Sequence, residues 1–296
     1  MIHSEIIDLS RSNLKDTKIP YLWGQGELIA YENWAVNEFC KRTRIIQDNE
    51  TASIVHLEIL AGKHTYTTDS RIIDIKRSRL RTNKRTLDPK GENWLDRNYI
   101  DWETAEGTPR FIIKNPEINR IRIVPFFDST FVVEGVSDIT FVASGSKIQK
   151  TSGLDVFKVG ESVNVAGTVS NNGTFPVTVA SATELTVTGT LVNEAGTSAV
   201  LRRLDDDLWM NVWRLPLVQV SVSNLDQSPE FNDSYHLELM DGILHRAYLK
   251  DDSQTLDPKK SQNHFQLFEG SIEKVRRDLL RLRQSSETIG PHRGTI

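Results

Sequence analysis

One cysteine, Cys40, is all that 296 residues supply. No intrachain disulfide and no cysteine-built zinc site can therefore form. The thiol sits in Asn37-Glu38-Phe39-Cys40-Lys41, a stretch of helical pattern with no base beside it, and reads as a small half-buried hydrophobe rather than a nucleophile. No apolar run approaches the about 20 residues of a membrane span. Met1-Ile2-His3-Ser4-Glu5 has neither the basic start nor the apolar stretch of a signal peptide, so synthesis in a cytosol is expected. Charge of one sign is lacking too: 36 basic residues stand against 40 acidic ones, a net of −4. That balance argues against a dedicated nucleic-acid binder, which carries a strongly basic domain, but leaves room for a local basic face.

The signatures of common chemistries are missing as well. The seven histidines nowhere form His-Glu-x-x-His, and His236 and His245 point to different sides of one expected helix. Gly24-x-Gly26 lacks the third glycine and the preceding strand of a dinucleotide fingerprint. Asp251-Asp252 before Asp257 lacks the glycine and terminal glutamate of a calcium loop. Asp205-Asp206-Asp207 reads as a solvated turn. There is no phosphate loop and no Gly-x-Ser-x-Gly elbow. No catalytic residue, metal ligand or cofactor contact is expected, and the chain reads as a non-enzyme.

What is present is an interrupted α+β pattern. Residues 1–25 are polar and read as an arm. A helix is expected over 27–47, with Leu28, Tyr31, Ala35, Phe39 and Ile46 near one face. Strands are expected within 53–75, 110–125 and 208–214, and Asp88-Pro89 suits the start of a short helix carrying Trp94, Leu95 and Tyr99. Residues 135–203 differ in kind, being rich in Val, Thr, Ser and Gly, with alternating segments around Asn171-Asn172-Gly173. They read as an inserted all-β sandwich or barrel. Two more helices are expected, over 233–249 and 258–284. The second starts at Asp257-Pro258 with Asp as cap and Pro in the first turn.

Two groups of residues suggest contacts. Lys76, Arg77, Arg79, Arg81, Lys84 and Arg85 form a basic stretch, either a solvated edge or a surface facing DNA phosphates without sequence preference. On the last helix Phe265, Phe268, Ile272, Val275, Leu279 and Leu282 recur at steps of three and four, a narrow seam of the coiled-coil kind. Arg276, Arg277, Arg281 and Arg283 lie largely off that seam. Beyond it Ile289, Pro291 and Ile296 punctuate a tail too polar to build a core, but able to seat in a groove on a partner.

The order of these parts resembles the head–tail connector proteins of tailed phages, also called adaptor or head-completion proteins. The resemblance begins at Trp34-Ala35-Val36-Asn37-Glu38-Phe39-Cys40-Lys41-Arg42 and continues at Tyr66-Thr67-Thr68-Asp69-Ser70-Arg71-Ile72-Ile73. Gly107-Thr108-Pro109-Arg110-Phe111 and Ile121-Arg122-Ile123-Val124-Pro125 follow. Pro229-Glu230-Phe231, Tyr235-His236-Leu237, Ala247-Tyr248 and Asp257-Pro258 complete it, so that it covers most of 27–134 and 205–284. It implies a discontinuous adaptor core over 1–134 and 204–296, a helical connector core with a small antiparallel sheet, interrupted by the β module at 135–203. That module departs from the plain family pattern and is similar to add-on domains of phage structural proteins. The resemblance further implies a virion protein of the head–tail junction, made in the bacterial cytoplasm. It would form a closed ring, typically of about twelve copies, under the portal protein, with a downstream tail or nozzle protein below and packaged DNA passing through. On this reading Phe265, Phe268, Ile272, Val275, Arg276, Arg277, Leu279, Leu282, Ile289, Pro291 and Ile296 are the portal- or subunit-facing candidates. A tail component that binds a receptor or carbohydrate through the β module is the alternative.

Overall fold

A computed structural model describes residues 1–82, 84–134, 138–196 and 198–287. The chain opens with helices α1 (His3–Leu14) and α2 (Gln25–Thr43), then strand β1 (Gln47–Asp48), a helical turn α3 (Ala52–Val55) and strands β2 (His56–Leu60), β3 (Thr65–Thr67) and β4 (Ile72–Leu80). Next come β5 (Asp88–Pro89), α4 (Glu92–Asn98), β6 (Phe111–Lys114), β7 (Arg120–Val124) and β8 (Val132–Glu134). Short strands follow: β9 (Thr140–Val142), β10 (Lys147–Gln149), β11 (Ser162–Ala166), β12 (Gly173–Ala180), β13 (Glu184–Val187) and β14 (Glu194–Ala195). The long strand β15 (Val200–Arg214) leads to α5 (Met240–Ala247) and α6 (Pro258–Glu287).

The fold is mixed α+β, with one large antiparallel sheet of 11 strands and a second of 4 ordered β3-β7-β6-β5. Strand β15 organises the larger sheet, pairing with β1, β2, β4, β8 and β11 along its length. By contacts the chain separates into two compact units. One is Met1–Asp48, Arg71–Asp74 and Val212 onward, and the other is Asn49–Ser70 with Ile75–Asn211.

In the first unit α2, α5 and α6 pack around Leu28, Ala35, Phe39, Ile243, Leu244, Phe268, Ile272 and Val275, all buried. Gly242 permits the close approach of these helices. A Cβ there would lie 3.0 Å from the Ala35 Cβ and 3.0 Å from the Phe268 ring, tighter than most packed Cβ contacts, so its neighbours would have to give by a few tenths of an ångström. Helix α2 stops at Thr43, earlier than the expected 47, because Arg44 turns left-handed (φ 53°) and its N–H donates back to the Cys40 carbonyl. The expected helix over 233–249 begins instead as a 3-10 turn over Asp233–Leu239, and its cap is Asn232, which accepts from the Ser234 N–H. Helix α6 starts where Asp257-Pro258 indicated: Asp257 accepts from the Lys260 N–H at 3.0 Å.

Residues 1–25 are not an arm. Ile6, Ile7, Ser10 and Leu14 fall on one face of α1 and are buried. Glu5 accepts the Ile2 N–H at 3.0 Å and so covers an otherwise unpaired donor at the start of the helix. Three buried polar contacts fix the segment further. His3 Nδ1 meets Glu32 Oε1 at 2.7 Å, and Arg11 reaches both Asp16 and the Trp23 carbonyl. Burial pushes the Glu32 carboxyl above its ordinary range, against the opposing pull of the His3 contact.

In the second unit, Ile139, Phe141, Ile148, Leu154, Phe157, Val163, Val165, Val177, Leu185, Leu191 and Leu201 share a core of their own. Strands β11 and β12 pair across the Asn171-Asn172 turn, where Asn171 is buried and donates to the Val192 carbonyl and to Glu194. Two local expectations are corrected here. Asp88-Pro89 lies in β5, parallel to β6, because the helix begins only after Gly91. Asp205-Asp206-Asp207 lies inside β15 rather than in a solvated turn, because each carboxylate has work within the sheet: Asp205 holds Arg203, Asp206 accepts from the Thr82 N–H and hydroxyl, and Asp207 holds Arg81.

Candidate functional site

The basic stretch folds as β4 and the hairpin after it. Side chains alternate along a strand, so Arg77 and Arg79 share the face opposite buried Ser78 and Leu80. On β15 the same alternation buries Leu208 and Met210 and turns Trp209 and Asn211 the other way. The hydrogen bond from Arg81 N–H to the Asp207 carbonyl, 2.9 Å, fixes the register of the two strands. Arg77, Arg79, Trp209, Met210 and Asn211, with Asn49, thus line an open concavity of about 310 Å³.

The Trp209 indole is 38% exposed. It lies nearly parallel to the His56 imidazole from β2, 4.7 Å away and tilted by 9°. The Arg81 guanidinium stands 5.6 Å from the ring centre and is held by Asp207 at 3.1 Å. Arg77 donates to the Thr86 hydroxyl, and neither Arg77 nor Arg79 has a carboxylate partner among the described residues. Lys76, Lys84 and Arg85 are exposed along the same stretch. Sequence reasoning found the arginines and missed Trp209, His56, Asn49 and Asn211. Only the pairing of β15 with both β4 and β2 brings the arginines, the indole and the imidazole together, and pairing register has no local signature.

Helix α6 divides the expected seam in two. Phe268, Ile272 and Val275 are fully buried in the core of their own unit, where Phe268 lies 6.0 Å from Trp34 and 6.4 Å from Phe39. These three expose no surface, so among the interface candidates named from the sequence they are the ones that the chain's own helices already cover. Phe265 and Leu279 are half-buried, Phe265 against His245 at 4.9 Å. Leu280 and Leu282 are 47% and 63% exposed, and Arg276, Arg277 and Arg281 are exposed beside them. Arg42 makes a two-pronged ion pair with Glu269, and that guanidinium holds the Glu269 carboxyl below its usual range. Arg44 and Arg283 flank the Trp213 ring at 5.0 and 5.4 Å. Ile289, Pro291 and Ile296 lie outside the described residues.

Burial raises the Cys40 thiol to about 12, which keeps it protonated and unreactive in the folded chain. His236 is buried against the Phe231 carbonyl, His245 meets Ser261, and His264 meets Asp241 at 2.8 Å. No group of three metal-ligating side chains occurs among the described residues, and none of their helices is long and apolar enough to cross a membrane. In the β module Phe141 and Phe157 are core residues and Phe175 is half-buried, so its aromatics form no exposed platform. Set against protein-family models and curated proteins, the sequence matches none.

Proposed function

We propose that this chain is a virion structural protein, a ring-forming adaptor between the portal of a phage head and the tail, surrounding the channel through which DNA leaves. The observation that carries the reading is the outward face of α6. Arg276, Arg277, Leu280 and Arg281 are exposed together on a helix of 30 residues whose other face is anchored in a packed core, and Leu282, in line with buried Val275, is exposed where the seam runs on past that core. An exposed leucine among arginines, with a second exposed leucine at the end of the seam, makes a surface suited to a partner that supplies apolar cover and acidic charge. The order of family-like motifs along the sequence supports the same reading. On it, the helical core with its flanking strands is the adaptor proper, and 135–203 is an accessory β module. The partners are further copies of the chain, the portal and a downstream tail or nozzle protein, with the β4 arginines as the candidate contact with DNA.

Reversing charge on α6 tests this directly. Arg276→Glu, Arg277→Glu and Arg281→Glu together should leave the secondary structure of the isolated chain unchanged, since all three side chains are exposed. Retention on immobilised portal protein should fall at least about tenfold, through loss of charge complementarity. Undiminished retention would remove α6 from the interface.

A further inference from the structure

We infer that the concavity between β4 and β15 is a binding site for an unpaired nucleotide of a single-stranded nucleic acid, its base laid on Trp209 and its phosphates on Arg77 and Arg79. The inference rests on reading β4 as a strand that faces a polyanion, and does not depend on ring assembly.

Three features converge there. The first is charge: Arg77 and Arg79 sit on one face, two residues or about 6.6 Å apart along the strand, and carry no carboxylate partner among the described residues. Cations left unpaired on a chain with an acidic balance of −4 favour an anionic ligand. The second is the indole. His56 covers one side of the Trp209 ring, while Arg81, 64% exposed at its side chain, stands 5.6 Å from the ring centre. That distance exceeds stacking contact, so a base can lie on the ring once Arg81 swings outward to pack over it. The third is an unmet hydrogen bond. The Asn211 side-chain oxygen is buried and has no partner, although its residue lines the concavity. A buried acceptor without a donor is costly until something supplies one. An amino or imino edge of a base does so once the Asn211 side chain turns that oxygen toward the concavity, and the exposed Asn49 amide can pair with a neighbouring base atom.

Double-stranded DNA fits these features less well. Its phosphates can reach the arginines, but its stacked bases cannot reach a ring set among strand side chains. A neutral sugar fits the ring and the amides but leaves the two guanidiniums uncompensated. The volume of about 310 Å³ matches one small ligand unit rather than a long groove.

The test measures fluorescence anisotropy of a labelled oligothymidylate and of a duplex of equal length, with the full chain, across a salt series. The single strand should bind more tightly than the duplex. Trp209→Ala should weaken single-strand binding between about fivefold and about a hundredfold while leaving duplex binding in place. Trp209→Phe, which keeps a stacking face and guards against a folding artefact, should recover part of it. Arg77→Glu with Arg79→Glu should weaken both ligands and flatten the salt slope. Equal binding of duplex and single strand, with Trp209→Ala inert, would overturn the nucleotide site and leave the polyanion-facing strand standing. Failure of both nucleic acids to bind even at low salt would overturn both. Trp209-dependent binding of a neutral oligosaccharide, with no nucleic-acid binding, would reassign the concavity to a glycan and overturn the inference.

Discussion

Replacing Arg214 with Ala is expected to destabilise the first unit by about 3–5 kcal/mol, the cost of breaking a buried ion pair from one side. The Arg214 side chain is 8% exposed and bridges two carboxylates, with Nε 2.5 Å from Asp48 Oδ2 and Nη1 2.6 Å from Glu230 Oε2. It also donates to the Leu215 carbonyl. One guanidinium therefore joins β1, the end of β15 and the loop that carries Glu230. Glu230 in turn accepts the Leu217 N–H, so losing the arginine loosens the path of the chain beyond β15 as well. Arg214→Met keeps the bulk and should cost nearly as much, since the charge is what compensates Asp48 and Glu230. Combining it with Asp48→Asn and Glu230→Gln should recover a substantial part, because neutral amides tolerate burial better than carboxylates without their cation. Cys40 supplies the readout. It is buried in the same unit, so its labelling rate in denaturant reports the opening of that unit alone. Equal stability of Arg214→Met and wild type would show that the bridge adds nothing.

Phe268→Ala and Leu282→Ala should separate the two halves of α6. Phe268 has no exposed surface and touches Trp34 and Phe39, so truncation leaves a cavity worth about 3–5 kcal/mol. Leu282 is 63% exposed, and its truncation should change the isolated chain by less than about 0.5 kcal/mol. In the presence of the portal the order should reverse in kind. On the proposed function Leu282→Ala should fold normally but associate weakly, whereas Phe268→Ala, where it folds, should keep its outward face intact. The Cys40 labelling rate measures the first effect and portal retention the second. A stability loss for Leu282→Ala as large as that for Phe268→Ala would contradict the division of the seam.

Much of the fold was legible in the sequence because the signals were local. Asp257-Pro258 marks the start of α6 through a cap and a fixed φ, both properties of adjacent residues. The strand candidates within 110–125, short runs rich in Ile, Val and Phe, become β6 and β7. The misses share a cause of their own. Helix α1 has few apolar residues, and its buried face is completed by His3, Ser10 and Arg11, polar side chains whose partners Glu32, Met240 and Asp16 lie outside the helix, the first two far away in sequence. Asp205-Asp206-Asp207 has the composition of a turn, yet partners on neighbouring segments hold it in a strand. The seam of α6 is regular over its whole length. Periodicity alone cannot tell the part covered by its own chain, at Phe268, Ile272 and Val275, from the exposed part at Leu282. The arginines of β4 were visible as a run, but the indole and amides that turn them into a site come from β15 and Asn49, far away in sequence.

The most direct test of the adaptor reading is electron microscopy of the purified chain, alone and mixed with the portal protein of its virion. The account predicts monomers or weakly associated species alone, and closed rings seated on the portal after mixing, lost when Arg276, Arg277 and Arg281 are reversed in charge. Absence of any ring or complex across salt conditions would contradict it.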